Sequence, residues 1–419
     1  MFVRHRTFRR SCSKIGWGGV AALILCGGPH AIAAPPEYAI FDLGVIDPGD
    51  FGSQGFGVSP DGTIAVGRTL GVSNQGFSWT VDGGQFALPN LPGQPFGAAN
   101  DAAAGVIVGT CAATAFGSGP LPVQWIKGIA TPLFLPAGES AGRANAVNAS
   151  GVVVGSVDGG SAEQAAILGT FTSSVIATTA PDGSFMRSAQ GVSDAGLVGG
   201  NGIDPNQAAR NVGLIYDIDA DTMQEVGAIP GANGALIFGM SSAGHATGSS
   251  SMNQGSGRPY VWTAAGGIVE IPLPAGTSQG SGRGVNADGW VVGRGSNAFS
   301  IPFLYDGEQT YTIQELLPAD TPWDVSTNTS SSADDISDSG VIVGTGVVNG
   351  DVRAFAMVPI LAPACPADFD RSGDVGFTDL TAVLAAFGPC DGCPPDLNGD
   401  GEVDFVDLVA VLSAWGPCV

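Results

Sequence analysis

The chain has 419 residues, of which 66 are Gly and 28 are Pro; only 13 % are charged, yet 38 acids against 15 Lys and Arg leave a net charge of −23. That sign excludes a basic nucleic-acid binder, which neutralises phosphates with Lys and Arg, and an apolar content of 44 % is too high for an acidic disordered chain. Glycine does not recur every third residue, so collagen is excluded, and a turn-rich, all-β protein remains.

Residues 1–33 read as a removable export signal. Arg4, Arg6, Arg9, Arg10 and Lys14 make a basic start, Val20 to Leu25 lie in a short apolar run, and Ala31-Ile-Ala33 offers a small-x-small cleavage site. No later stretch reaches about 18 consecutive apolar residues, so no transmembrane segment is expected in the mature chain. The expected location is therefore secreted, extracellular or cell-surface associated. Without the signal, 10 Lys and Arg face all 38 acids, a surface that repels nucleic acid and attracts cations.

The next element is Tyr38-Ala-Ile-Phe-Asp-Leu43, an isolated strand. A repeated phrase follows, seen in Gly57-Val-Ser-Pro-Asp-Gly62, Ala146-Val-Asn-Ala-Ser-Gly151, Gly191-Val-Ser-Asp-Ala-Gly196, Gly284-Val-Asn-Ala-Asp-Gly289 and Asp335-Ile-Ser-Asp-Ser-Gly340. Seven copies end on glycines 67, 109, 155, 200, 248, 293 and 344. A period near 45 residues is the length of a four-stranded propeller blade. Within a copy, a Gly-closed hairpin turn precedes a buried strand such as Val152-Val-Val154. An aromatic strand (Phe77-Ser-Trp79, Val123-Gln-Trp125, Tyr260-Val-Trp262) and a strand ending in a proline turn (Leu88-Pro89, Leu273-Pro274) then follow. After the seventh copy, Val352-Arg-Ala-Phe-Ala-Met357 has no fourth strand behind it. The orphan strand at Tyr38 would fill that place and leave no open edge. The fold expected for residues 34–360 is a seven-bladed β-propeller.

Asp42-Leu-Gly44, Gly57-Val-Ser-Pro-Asp-Gly62, Val66-Gly67 and Gly76-Phe-Ser-Trp79 together resemble the bacterial extracellular HAF repeat, over roughly residues 38–360. The His-Ala-Phe triplet itself survives as variants such as Arg353-Ala-Phe355. The resemblance implies a secreted, propeller-like repeat and no settled catalytic activity.

Residues 361–419 form a second, small α-helical region. Asp368, Asp370, Ser372, Asp374 and Asp379 recur 28 residues later as Asp396, Asn398, Asp400, Glu402 and Asp407, with Gly373 and Gly401 at the sixth loop position. Oxygen side chains at positions 1, 3, 5 and 12, and Gly at 6, are the EF-hand calcium pattern. Asp374 and Glu402 would serve through their carbonyls, Gly376 implies a water ligand, and Asp404 binds directly or through water. Two Ca2+ sites are expected. Leu380, Val383, Leu384 and Phe387, then Leu408, Val411, Leu412 and Trp415, mark an amphipathic helix after each loop. A paired loop-then-helix unit with no entering helices resembles a dockerin module, and the bracketing cysteines make it similar to GC-type dockerins. That resemblance implies a cohesin-like or other cell-surface anchoring partner. Phe377-Thr378 and Phe405-Val406 depart from the paired Ser/Thr of cohesin-binding dockerins.

Cys365, Cys390, Cys393 and Cys418 allow three pairings. The short gap favours Cys390 with Cys393, and pseudo-two-fold packing would bring Cys365 to Cys418; zinc is the rival reading.

No catalytic residue is identified. His245 lies in a turn, Cys111 reads as a buried structural thiol, and Asp217-Ile-Asp219-Ala-Asp221 as a solvated turn. The expected function is a secreted, non-enzymatic propeller tethered or assembled through a calcium-dependent module. The alternative, which the dockerin resemblance implies, is a secreted carbohydrate-active enzyme (a glycoside hydrolase) or a polysaccharide-binding propeller; glycosidase chemistry would need two carboxylates about 5–9.5 Å apart.

Overall fold

The computed structural model describes residues 36–114, 119–159, 162–207, 210–252, 256–360, 365–370, 372–390 and 393–418; the segment 1–33, expected to be an export signal, lies outside the described residues. From Phe96 to Thr312 the chain folds as five successive four-stranded antiparallel sheets, each built from consecutive strands. A nine-stranded sheet joins the two ends of this region. One part runs through Gly52–Val58, Ala65–Leu70, Gly76–Thr80 and Gly84–Ala87. The other runs through Ser332–Ile336, Ile342–Val348 and Asp351–Pro359. A single parallel pair, Gly52 with Val352, connects them. The N-terminal strand Tyr38–Asp42 lies antiparallel on Asp351–Pro359, Tyr38 opposite Pro359 and Asp42 opposite Phe355. It supplies the fourth strand that the last repeat lacks in its own sequence.

The first strands touch in a cycle. Gly52–Val58 meets Phe96–Ala103, which meets Gly142–Val147, then Phe185–Val192, Ala232–Met240, Gln279–Val285 and Ser332–Ile336, and this last returns to Gly52–Val58. Radial sheets whose innermost strands close on themselves are a β-propeller.

Local chemistry explains the repeat. In the turn after Gly142–Val147, the Asn148 side-chain oxygen accepts the N–H groups of Ser150 and Val152 at 3.1 and 2.9 Å, and Gly151 takes φ +79°. Asn286 holds Asp288 and Trp290 in the same way, with Gly289 at +81°. A left-handed residue at that point is the reason for glycine. The Asn148 amide also donates to Ser193 O, in the next repeat's turn, at 2.8 Å. The third strands carry the large buried rings Phe77, Trp125, Tyr260 and Phe303. Each buried aromatic removes about 150–250 Å² from water, worth about 4–6 kcal/mol as an upper figure. Trp125 keeps its indole N–H satisfied by donating to Pro89 O at 2.8 Å.

The C-terminal region holds two helices, α1 (Phe377–Ala385) and α2 (Phe405–Ser413). Two short ribbons cross between its halves: Asp374–Val375 pairs with Gly416–Pro417, and Gly388–Pro389 with Glu402–Val403. Its core is small, made of Ala367, Val375, Val383, Val403 and Val411. The amphipathic stripes are therefore split. Val383 and Val411 are buried, whereas Leu384, Phe387, Leu412 and Trp415 are about half exposed (49–52 %). A single layer between two nine-residue helices has no room for the larger side chains. Both helices also stop before Phe387 and Trp415, where the Gly-Pro segments turn into ribbon.

Candidate functional site

The first acidic loop is organised by its own backbone. Asp368 accepts the N–H groups of Ser372 and Gly373 at 3.0 and 2.9 Å. Asp379, 1 % exposed, reaches back from α1 to accept Phe369 N–H at 2.7 Å and Gly376 N–H at 2.8 Å. Carboxylate oxygens of Asp368, Asp370 and Asp379 thus lie within 4.8 Å of one another. Like charges this close repel, and an all-oxygen cluster of this kind can hold a metal ion. Ser372 Oγ donates to Asp374 Oδ1 at 2.9 Å. The Ser372 hydroxyl and backbone hold the Asp370 carboxyl below its ordinary range.

The second loop repeats the design. Asp396 accepts Gly399 and Gly401 N–H at 2.8 and 2.9 Å, and the fully buried Asp407 accepts Leu397 and Asp404 N–H at 2.9 and 2.8 Å. Asn398 stands where the first loop has Asp370 and donates to Asp400 Oδ2 at 2.9 Å. The Asp404 backbone N–H, first among several donors, keeps the Asp407 carboxyl low. Asp404 itself caps α2, accepting Val406 N–H at 2.7 Å. The side chains of Asp374 and Glu402 are exposed. Cys365 pairs with Cys418 and Cys390 with Cys393, with Cα separations of 5.7 and 5.9 Å.

A second site occupies the propeller centre. In each first strand the antiparallel register slips by one residue: between Gly55 and Gly57, Ala99 and Asp101, Ala144 and Ala146, Ala189 and Gly191. The other three slip between Ile237 and Gly239, Gly282 and Gly284, and Ala333 and Asp335. Such bulges re-aim a side chain. The skipped residues all line one cavity of about 400 Å³: Phe56 and Phe238, the amides Asn100, Asn145 and Gln190, and the charged Arg283 and Asp334.

The position after the bulge is where neighbouring sheets meet. A Cβ on Gly57 would stand 2.5 Å from Asn100 O, and one on Gly191 2.6 Å from Met240 Cβ. Asp101 and Asp335 take that position in two repeats. Each bonds the next first strand, Asp101 accepting Val147 N–H and Asp335 accepting Val58 N–H, both at 2.9 Å. Burial pushes the Asp101 carboxyl up to about 7. Burial, then the charge of Asp101, push Asp335 well above the carboxylate range.

No family profile and no curated protein matches the chain. Several solved structures are similar. An oligogalacturonate lyase in complex with manganese shares 14 % identity, covering 78 % of this chain and 94 % of that one, with a TM-score of 0.48. TolB from Acinetobacter baumannii shares 12 % over 74 % and 68 % of the two chains, TM-score 0.42. The β-propeller domain of the Trilobed protease from Pyrococcus furiosus shares 11 % over 61 % and 80 %, TM-score 0.38. The propeller architecture stands on the strand pairing described above.

The sequence pattern did not single out the cavity residues. Phe56, Asn145, Gln190, Phe238, Arg283 and Asp334 share no chemistry, but each stands six residues before its turn glycine. That fixed offset is the signal that could have found them. His245 is half-buried away from the cavity; its backbone N–H bonds Ser241 Oγ at 3.0 Å and its Nδ1 has no partner. Cys111 is fully buried with its thiol pushed up by burial. The Asp217 side chain accepts Asp219 and Ala220 N–H in a turn.

Proposed function

We propose that the chain is an exported, non-enzymatic seven-bladed propeller of HAF-like repeats, spanning 34–360, assembled or anchored through a dockerin-like calcium module at 361–419. The observation that carries this reading is the twofold recurrence of one acidic loop, with Asp379 and Asp407 buried behind it. The cycle of seven first strands supports the blade count. Hard, all-oxygen donors suit Ca2+ better than zinc. Exposed Phe377, Leu384 and Phe387 on one half, and Phe405, Leu412 and Trp415 on the other, supply the apolar surface a cohesin-like partner would cover.

Calorimetry on the full chain tests it: two calcium-binding events are expected, Asp379→Ala removing one and Asp407→Ala the other. No heat and no thermal shift with calcium would overturn the module's assignment. Capture of a surface-anchoring partner should be lost in chelator.

The glycoside hydrolase alternative draws on Asp101, Asp334 and Asp335 in one cavity. Asp101 and Asp335, however, spend both oxygens on backbone N–H groups, which favours binding over turnover. Hydrolysis of any member of a polysaccharide panel would reverse that preference.

A further inference from the structure

Of the nine basic residues between 34 and 364, Lys127 lies in a turn and the eight arginines are sorted by place. Arg210, Arg258 and Arg353 lie on or beside third strands, and each meets a carboxylate. Arg210 bridges Asp204 and Glu225 at 3.0 and 2.7 Å, Arg353 meets Asp351 at 2.9 Å, and Arg258 meets Glu270 at 3.9 Å. Arg68, Arg143, Arg187, Arg283 and Arg294 lie on first or second strands, toward the ring centre. Among the described residues, none of these five has an ion-pair partner. Arg68 is held by two hydrogen bonds to Gln54 Oε1 at 3.0 and 2.8 Å, and Arg283 and Arg294 feel the charge of Asp334, so Arg143 is the central arginine that most needs an anion from outside.

Two of them reach the cavity. Arg143 lines it and is exposed, and its side chain makes no hydrogen bond to any described residue. Arg283 stacks its guanidinium 5.1 Å from the Phe238 ring centroid, and its Nε is shut from solvent without a partner. The cavity also offers fixed acceptors. Asn100 and Asn145 commit their amide N–H groups to Ala144 O and Ala189 O, both at 2.8 Å, which leaves each side-chain oxygen free to accept. Its volume of about 400 Å³ falls within the range of small-molecule sites.

We propose that the central cavity binds a sugar acid, a single carboxylate on a hydroxylated ring, with Arg143 and Arg283 taking the carboxylate and Asn100, Asn145 and Asp334 accepting hydroxyls. A neutral sugar would leave both guanidiniums unpaired. Asp194, Asp334 and Asp338 also line the cavity, so a phosphate dianion, with its second negative charge, is repelled more than a single carboxylate. The site is independent of the calcium loops.

Calorimetric titration of the full chain with glucuronate, glucose and inorganic phosphate tests this. Glucuronate is expected to saturate one site and to bind at least tenfold more tightly than either competitor. Arg143→Gln, which removes no internal contact, and Arg283→Gln should each weaken glucuronate at least tenfold, and Asp379→Ala should leave it unchanged. Glucose or phosphate binding as tightly as glucuronate, or an Arg143→Gln chain that melts and binds like the parent, would overturn the proposal.

Discussion

Asp335 Oδ2 accepts the backbone N–H of Val58 at 2.9 Å across 277 residues of sequence. The bond spans the seam where the last repeat meets the first, at the opposite end of Gly52–Val58 from the parallel pair of Gly52 with Val352. Asp101 makes the same bond to Val147 within the ring, over 46 residues. One carboxylate geometry thus serves both a seam and an ordinary sheet-to-sheet contact.

Asp335→Ala leaves Val58 N–H without an acceptor in a half-buried place. A loss of about 1–3 kcal/mol is expected, read as a lower midpoint in urea unfolding. Removal of residues 38–42 should do more, because it bares the edge of Asp351–Pro359. A truncated chain that stays monomeric and melts like the parent would show that the strand is not needed for closure.

The raised carboxyls give a pH dependence of definite sign. Asp101 keeps its proton up to about 7 when folded, whereas an unfolded Asp releases it near ~3.9. Between those values the folded state binds more protons, so this group's contribution to stability falls as pH rises. Asp335 acts in the same direction. The melting-temperature difference between pH 5 and pH 8 should shrink in Asp101→Asn relative to the parent, whatever the substitution does to absolute stability.

The Cys365–Cys418 disulfide borders the first loop on both sides. Asp368 N–H bonds Cys365 O at 2.9 Å, and Cys418 N–H bonds Gly373 O at 3.0 Å. Cys365→Ser with Cys418→Ser should cost the C-terminal region about 2–4 kcal/mol. It should also weaken metal binding at Asp368, Asp370 and Asp379 more than at Asp396 and Asp407, which isotherms of the two single-loop variants would separate.

Cys111 is fully buried and its thiol is pushed up, so little thiolate exists to react. Alkylation by iodoacetamide at pH 8 should be negligible in the folded chain and complete in guanidinium. Rapid labelling without denaturant would contradict its burial.

Much of the fold is legible in the residues because turns and buried rings carry strong local signals. Asn148 and Gly151, or Asn286 and Gly289, are recognisable from chemistry alone, and so are Trp125 and Tyr260 on third strands. The cavity is different. Whether Phe56 or Asp334 points inward depends on a one-residue register slip, which leaves no compositional trace. Asp101 and Asp335 are strand residues whose hydrogen-bond partners belong to the next sheet, a relation that no pattern within one repeat can show. The acidic loops are legible because a short carboxylate that accepts backbone N–H groups at fixed offsets, as Asp368 and Asp396 do, fixes both residue type and spacing. The outward faces of α1 and α2 are not, because a 3.6-residue period says which side chains align and not how many a small core can take.

The pairing of Tyr38 with Pro359 also imposes an order in time. Residue 38 leaves the ribosome early and its neighbour on the sheet arrives 321 residues later. At about 5–20 residues per second, the strand waits roughly 15–65 s for its partner. Nascent chains therefore pass through a long interval in which the opening segment has no sheet of its own to join. The ring can be locked only once the last repeat has been made.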